Sequence, residues 1–454
     1  MSINGILNTG VKGMVSTQLA TNTTASNISN AATVGYTRRS SNIYPDQSLL
    51  NNGGGRRVVE PFIQKRLLNA ESSAGEAKAQ SAALNVLDDV FAEGDGSIGT
   101  ALDKFQAAVQ NLTTRPDDTA TRQEVLSNAS NLSTAFKNAN AQIEQARQDS
   151  NLRIEQGVNQ VNSRLDQIGK LGVQIQQMET TGQEASDLRD QRDILVKEVA
   201  SYVPVTLLDQ GNGQISLMLG GAHNLVSPDG QVGHLSTKVG EDGTIRIQKN
   251  VAGAMQDVSA QINGGSLGGE VKARTGALAD AQKKLDQLAY DTAGAYNNVH
   301  RANVALDGQA GRNLFAEQAT VSGSASAFEV SADVAGHPEN IAAALDTTSL
   351  PSDNRGAMAL ANISSAPLAF GGMTVSEALA SLVGFAGSQV QAAQQQQTFT
   401  AGALEQVQAL QDSTAGVNTD EEMVNLMKYQ RAYQASLKVI STADQMLSDL
   451  LNIR

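Results

Sequence analysis

The chain has 454 residues, 33 Lys and Arg against 46 Asp and Glu, a formal net charge of −13, and neither Cys nor Trp. That length leaves room for roughly two to four domains, and the lack of Cys excludes disulfide stapling and thiolate metal sites. The acidic balance argues against nucleic acid as a partner, because phosphate binding needs concentrated Lys and Arg.

No apolar run approaches the roughly 20 residues a membrane helix needs, so no membrane contact is expected. The opening MSINGILNTGVKGMVSTQ lacks the basic and apolar regions of a Sec signal peptide. Residues 3–31 place Leu7, Met14, Thr21 and Ile28 on a heptad row, with Ile3, Val11 and Ala25 near the same face. Gly5, Gly10, Gly13 and many Thr and Asn make this a weak helix, which should order only when packed against something. In SNISNAATVGYTRRS, Asn27 and Asn30 suit caps or turns, Gly35 suits a positive φ, and Tyr36 offers a flat anchor. Residues 37–60, with Pro45, Gly53, Gly54 and Gly55, read as irregular or β-like.

Residues 61–93 are predicted helical, with Phe62, Leu67, Leu84, Leu87, Val90 and Phe91 as apolar contacts. The GDGSIG turn at 94–99 ends that helix, and a shorter one over 100–113 runs up to Arg115-Pro116. A very long periodic stretch, 117–179, carries Leu132, Phe136, Ala139 and Ile143 and then Val161, Leu165, Ile168 and Ile175. Thr181-Gly182 turns the chain and Asp187 opens a return helix, so an antiparallel, rod-like hairpin is expected. At Pro204 the period drops from 3.6 to 2. Short strands are predicted at 205–208, 214–219, 223–226, 235–239 and 244–247, separated by GNG, Pro228-Asp229-Gly230 and Asp242-Gly243. QINGGSLGGE at 261–270 reads as an exit hinge. Helix resumes over 275–302, a mixed segment covers 303–350, and helix returns from Asn354 to Gly416 with a break at Gly371-Gly372.

The last stretch, Asn418 to Arg454, reads as one helix of roughly 50 Å at about 1.5 Å per residue. Thr419, Asp420, Glu421 and Glu422 supply capping oxygens and negative charge at its start. Leu426, Tyr433, Ile440 and Leu447 recur every seven residues, with Met423, Leu437 and Leu451 on the adjoining row and Gln430 and Asp444 interrupting it. A period near 3.5 keeps one stripe facing a partner helix, and the stripe at the other terminus is the obvious candidate. The expected fold is mainly α with an inserted small β domain, its N- and C-terminal helices paired as a coiled coil. The domains are a terminal coil (1–40 with 415–454), a helical rod (41–202 with 271–302 and 351–414), the β domain (203–270), and a mixed irregular/β segment (303–350) attached to the rod.

Chemistry-bearing motifs are weak. Gly264-Gly265-Ser266-Leu267-Gly268 fits G-x-S-x-G, with His300 and His337 downstream, but no βαβ series surrounds it and a flexible hinge explains it better. Gly94–Gly99 fits G-x-G-x-x-G after a helix instead of a strand, so it reads as a turn. The four His show no ligand spacing and are expected on surface or loops. Asp187, Asp190 and Asp193 suggest a salt-bridged helix face before a cation site. Arg38-Arg39 and Arg56-Arg57 form a basic patch, either solvated or facing an acidic neighbouring subunit. No catalytic, cofactor or metal residue is assigned.

Asn27-Ile28-Ser29-Asn30 followed by Thr33-x-Gly35-Tyr36 resembles the N-terminal signature of the flagellar axial proteins of rod and hook. Thr37-Arg38-Arg39 and the closing helix down to Leu451-Asn452-Ile453-Arg454 look more specifically like the flagellar hook-associated protein 1 family, the first hook–filament junction proteins. Asp187–Asp193 and GGSLGGEVKARTGALADAQKKLDQLA are similar to that family's entry to and return from its β domain. The resemblance implies an extracellular structural protein, exported unfolded by the flagellar type III apparatus without a cleaved signal peptide, that joins hook to filament by stacking terminal coils. The β domain would lie outside. Implied partners are the hook protein, the second hook–filament junction protein, further copies in a helical ring, and an export chaperone on the C-terminal helix. Leu7, Met14, Asn27, Ile28, Asn30, Thr33, Gly35, Tyr36, Met423, Leu426, Gln430, Tyr433, Leu437, Ile440, Leu447 and Leu451 are the expected assembly residues. A hook or rod subunit, a secreted effector or esterase using Ser266, and an intracellular coiled-coil scaffold are the alternatives.

Overall fold

A computed structural model describes residues 2–41, 55–211, 213–240, 243–368 and 371–452. Pro45, Gly53, Gly54, Asn212, Asp242 and the closing Ile453-Arg454, used above as turn or family signals, lie outside the described residues. The chain is mainly α with a small inserted β domain. In order it forms α1 (Ile3–Ser29), β1 (Arg39–Ser40), β2 (Arg56–Arg57), α2 (Pro61–Leu84), α3 (Val86–Phe91), α4 (Ile98–Leu112), α5 (Thr119–Thr180) and α6 (Ser186–Tyr202). Strands β3 (Val205–Gly211), β4 (Gln214–Leu219), β5 (His223–Val226), β6 (Leu235–Val239), β7 (Ile245–Val251) and β8 (Ala254–Asp257) follow. Helices α7 (Gly265–Thr275), α8 (Ala277–Ala302), α9 (Arg355–Ala361), α10 (Val375–Ala415) and α11 (Thr419–Asn452) complete it.

Two compact units divide these elements: Met1–Ala77 with Glu155–Gly268 and Thr398–Arg454, and Lys78–Ile154 with Gly269–Gln397. In the first, β3-β4-β5 and β6-β7-β8 are two antiparallel meanders. Ile215, Leu217, Leu219, Leu235 and Ile247 fill their buried faces, as the period of two requires. The sheets dock on α5 and α6 through polar ties. Asn162 exchanges both side-chain groups with the backbone of Leu235, at 2.8 and 2.9 Å, and Arg192 donates to the Gly213 carbonyl at 2.6 Å. Strand β8 escapes the sequence reading because all four of its residues are exposed and nothing alternates. Phe62, expected as an apolar contact, is also exposed.

Of the segment 261–270, expected to be an exit hinge, residues 265–270 are instead the start of helix α7. Its glycines serve close packing. A Cβ on Gly265 would stand 2.2 Å from the Tyr202 carbonyl carbon, and one on Gly264 would stand 2.5 Å from Ser72 Oγ.

The second unit packs around an aromatic cluster. Phe105 meets Tyr296 and Phe315 edge-on, at 5.0 and 5.7 Å between ring centres, and Phe328 lies 4.6 Å from Phe136 and 4.7 Å from Phe315. Residues 303–350 follow no regular period, and α8 pins them with buried polar groups. Asn297 Oδ1 accepts from the amides of Leu314 and Phe315, and Asp286 accepts from those of Gly323 and Ala325. His300, expected on the surface, is fully buried in α8. Its Nδ1–H donates to the Arg312 carbonyl at 2.8 Å and its Nε2 accepts from the Ala342 amide at 3.0 Å, which fixes the neutral ring. Burial pushes the imidazole below its ordinary range.

Candidate assembly interface

Helices α1 and α11 pack in opposite directions: Gly10 lies against Ile440, Gly13 against Ser436, and Asn27 against Glu422. On α11 positions 422, 426, 429, 433, 436, 440, 443 and 447 are covered, alternate steps of four and three that trace a heptad seam, with Asn425 and Ala432 half-buried at its flank. Leu426, Tyr433, Ile440 and Leu447 therefore face α1, half-buried, as their spacing suggests. Their companions in the seam are Glu422, Tyr429, Ser436 and Ala443. The adjoining row of Met423, Gln430, Leu437, Asp444 and Leu451 stays exposed.

On α1 the buried residues are Gly10, Thr17, Ala20, Thr23, Thr24 and Asn27, all small or polar, while Leu7, Met14 and Ile28 are half-buried. A Cβ on Gly10 would fall 2.7 Å from Ile440 Cγ1 and one on Gly13 would fall 2.8 Å from Ser436 Oγ. The glycines that weaken α1 as an isolated helix are thus what lets α11 approach it. Helix propensity gives way to packing here.

The motif after α1 closes the base of this pair. Asn30 ends the helix, its Nδ2 donating to the Ser26 carbonyl at 2.9 Å, and the exposed Thr33 continues the turn through its amide bond to the Asn30 carbonyl. Gly35 takes φ +78°, and a Cβ there would strike Ile194 Cδ1 at 2.5 Å, so only glycine fits. Asn27 is saturated. Its Nδ2 donates to Glu422 Oε2 at 3.0 Å and to the Arg39 carbonyl at 2.9 Å, and its Oδ1 accepts from Tyr36 OH at 2.9 Å and the Arg39 amide at 3.0 Å. Arg38 Nε reaches the other Glu422 oxygen at 2.9 Å, so this carboxylate, 2% exposed, is paired on both sides.

The neighbouring charges form one network. Arg39 pairs with Asp187 and stacks over Tyr36, while Arg57 forms an ion pair with Asp190 at 2.8 Å and donates to Asp193 at 2.6 Å. The acidic partner of this basic patch is therefore α6 and α11 of the same chain, and Arg56 alone of the four arginines is exposed. Burial pushes the Asp190 carboxyl above its ordinary range, and Arg57 and the bonds from Thr37 only partly oppose it. Beside the network opens a cavity of about 430 Å³, lined by Val34, Val58, Ile63, Ile194, Lys197 and Val417, with Val34 86% exposed at its mouth.

Outside the covered seam α11 carries a second group of apolar side chains. Met423, Val424, Met427, Leu437, Val439, Met446, Leu450 and Leu451 are all exposed, Leu451 by 72%. Exposed apolar surface of this extent on a helix is the usual mark of a contact surface.

The remaining motifs lead elsewhere. Ser266 sits in the first turn of α7 after a 3₁₀ turn at Ser259–Gln261, not on a strand-to-helix elbow. Both nitrogens of His300 are engaged by backbone, and His337 Nδ1 bonds Glu339 at 3.1 Å. In GDGSIG, Ser97 caps α4 by accepting from the Thr100 amide at 3.2 Å. Among the described residues no group of His, Asp or Glu could hold a metal ion, and no helix is long and apolar enough to cross a membrane. Sequence reasoning missed Glu422 as a seam residue; a carboxylate at a seam position one turn before Leu426 was the available signal.

Comparison with known proteins gives a consistent picture. The family described as flagellar hook-associated protein FlgK helical domain matches residues 84–315. Residues 409–453 match the flagellar basal body rod FlgEFG protein C-terminal family and residues 7–37 the flagella basal body rod protein family. Flagellar hook-associated protein 1 of Salmonella typhimurium is 25% identical over 553 aligned residues that cover 100% of both chains. Its namesake in Bacillus subtilis is 25% identical over 502, covering 98% of this chain and 97% of its own. The solved structure of the flagellar hook junction protein FlgK from Burkholderia pseudomallei superposes with a TM-score of 0.69 at 17% identity, covering 77% of this chain and 100% of that one, which shows a shared fold.

Proposed function

Because the chain belongs to the flagellar hook-associated protein FlgK family, we propose that it docks hook to filament through the outer face of its paired terminal helices. It is a structural protein of the flagellar hook–filament junction. In this reading residues 1–40 with 415–454 form the docking coil, residues 41–202 with 271–302 and 351–414 the rod, residues 203–270 an outward β domain, and 303–350 a segment attached to the rod. The hook protein takes one end and the second hook–filament junction protein the other, with further copies of this chain between them in a helical ring. Before assembly an export chaperone covers α11, and the chain leaves the cell through the flagellar type III route without a cleaved signal.

One observation carries the reading. The α1–α11 seam uses a single face of α11, and Met423, Met427, Leu437 and Leu451 remain exposed on the rest. A heterologous contact between identical subunits through such a row builds an open helical array. Gln430 and Asp444, exposed within that row, supply polar contacts between subunits. The test is complementation of a deletion strain. Wild-type protein is expected to restore filaments, whereas Met427→Asp with Leu437→Asp leaves bare hooks and flagellin in the medium. Normal filaments from that double variant would refute the reading.

A further inference from the structure

By itself the row of Leu426, Tyr433, Ile440 and Leu447 is nearly blind to a slip of one heptad. Shifting α11 by seven residues along α1 puts Leu426 where Tyr433 stood, Tyr433 where Ile440 stood and Ile440 where Leu447 stood, one half-buried apolar side chain replacing another. The base of the pair tolerates no such exchange. After that shift Glu422 stands opposite Ala20, which is fully buried and offers it no donor, and Ala415 stands opposite Asn27 and offers it no carboxylate; the reverse shift puts Tyr429 opposite Asn27, again without a carboxylate. A pair slipped in the first direction would therefore set the Glu422 carboxylate against alkyl surface without a counter-ion, and one slipped in the reverse direction would leave the buried Asn27 amide without its carboxylate, both arrangements that a low-dielectric interior penalises.

We infer that Asn27 and Glu422, with Arg38 as counter-ion, fix the register of the terminal helix pair, while Gly10 and Gly13 fix only how closely the helices approach. Buried polar pairs in coiled coils act in this way, giving up some stability for a single alignment. The inference goes beyond the docking function and holds whatever the coil assembles with.

The chain contains no Cys, so engineered pairs report register cleanly. A Cβ on Gly13 would lie 3.7 Å from Ser436 Cβ, inside the range of about 3.5–4.5 Å that a disulfide accepts. In the full-length protein, Gly13→Cys with Ser436→Cys reports the native register. Gly13→Cys with Tyr429→Cys or with Ala443→Cys reports a slip of one heptad in either direction.

Under mild oxidation the native pair should cross-link and the slipped pairs stay at background. Asn27→Leu with Glu422→Leu replaces the polar pair by apolar residues that can still pack. In that background the native cross-link should fall and a slipped one become abundant, while Glu422→Gln, which still accepts from Asn27, keeps the native pattern. An unchanged, exclusive native cross-link in the double-leucine protein overturns the inference, because the glycine contacts would then set the register. Loss of every cross-link overturns it too, because the polar pair would then be needed for association and not for alignment.

Discussion

Gly10 of α1 lies directly beneath Ile440 of α11, so that a Cβ added to the glycine would fall 2.7 Å from Ile440 Cγ1. Replacing glycine by alanine within a helix ordinarily gains up to about 1 kcal/mol, but overpacking a tight contact loses about 1–3 kcal/mol. Gly10→Ala should therefore destabilise the terminal pair. Gly5→Ala meets nothing nearer than Ser2 Oγ at 3.5 Å and should stabilise it by roughly half a kcal/mol. Thermal melts of the two variants should shift in opposite directions, and a shared upward shift would mean the close approach is absent.

The two apolar rows of α11 should separate folding from docking. Ile440→Asp places a charge in the seam and should destabilise the helix pair by about 1–3 kcal/mol. Leu437→Asp changes an exposed side chain, so stability should hold within about 0.5 kcal/mol while incorporation is lost. Circular dichroism melts and filament counts on the same variants check both halves.

Arg57→Met leaves Asp190 and Asp193 without their shared guanidinium, and breaking a buried pair in this way typically destabilises by about 3–5 kcal/mol. The deficit should depend on pH. Burial already raises the Asp190 pKa above its unfolded value near 3.8. Such a group favours the fold below the unfolded pKa and loses that contribution as pH rises through the folded one. Without Arg57 the folded value climbs further, so the variant's deficit should be largest at neutral pH and shrink on acidification. Urea titrations at about pH 7 and about pH 5 measure this, and equal deficits would contradict it.

His300 should make the second unit acid-sensitive. Its folded pKa lies below the ordinary 6.5 because the ring is buried, so the unfolded chain takes up a proton that the fold resists. The contribution stands in full above about pH 6.5 and is lost as pH falls through the folded value. His300→Gln should lower stability at alkaline pH yet flatten its decline on acidification. The pH profile of the melting temperature decides, and a parallel profile would count against it.

What the sequence made legible was whatever carries a period. Leu426, Tyr433, Ile440 and Leu447 face α1, and Val161, Leu165, Ile168 and Ile175 are all fully buried. Features without a period stayed hidden. The α1 side of the seam is built from small residues, and Gly10, Thr17 and Thr24 among them read as poor helix formers although their role is to let α11 approach. Arg39 and Arg57 read as solvated charges or as contacts for a neighbouring subunit because Asp187, Asp190 and Asp193 lie more than a hundred residues away along the chain. The order of residues 303–350 comes from Asp286, Asn297 and His300 on α8, and hydrogen bonds from one helix into a loop leave no repeat to read.

The bond between Asn27 and Glu422 spans 395 positions of chain. Loop-closure entropy grows with that separation, and such non-local contacts lag behind local ones in folding. The ends therefore meet late: a nascent chain can complete its helical hairpin and β meanders while residues 3–29 still wait for α11. Closure of the terminal pair thus works as a completeness check, because only a chain whose last helix has arrived can satisfy the asparagine near its beginning.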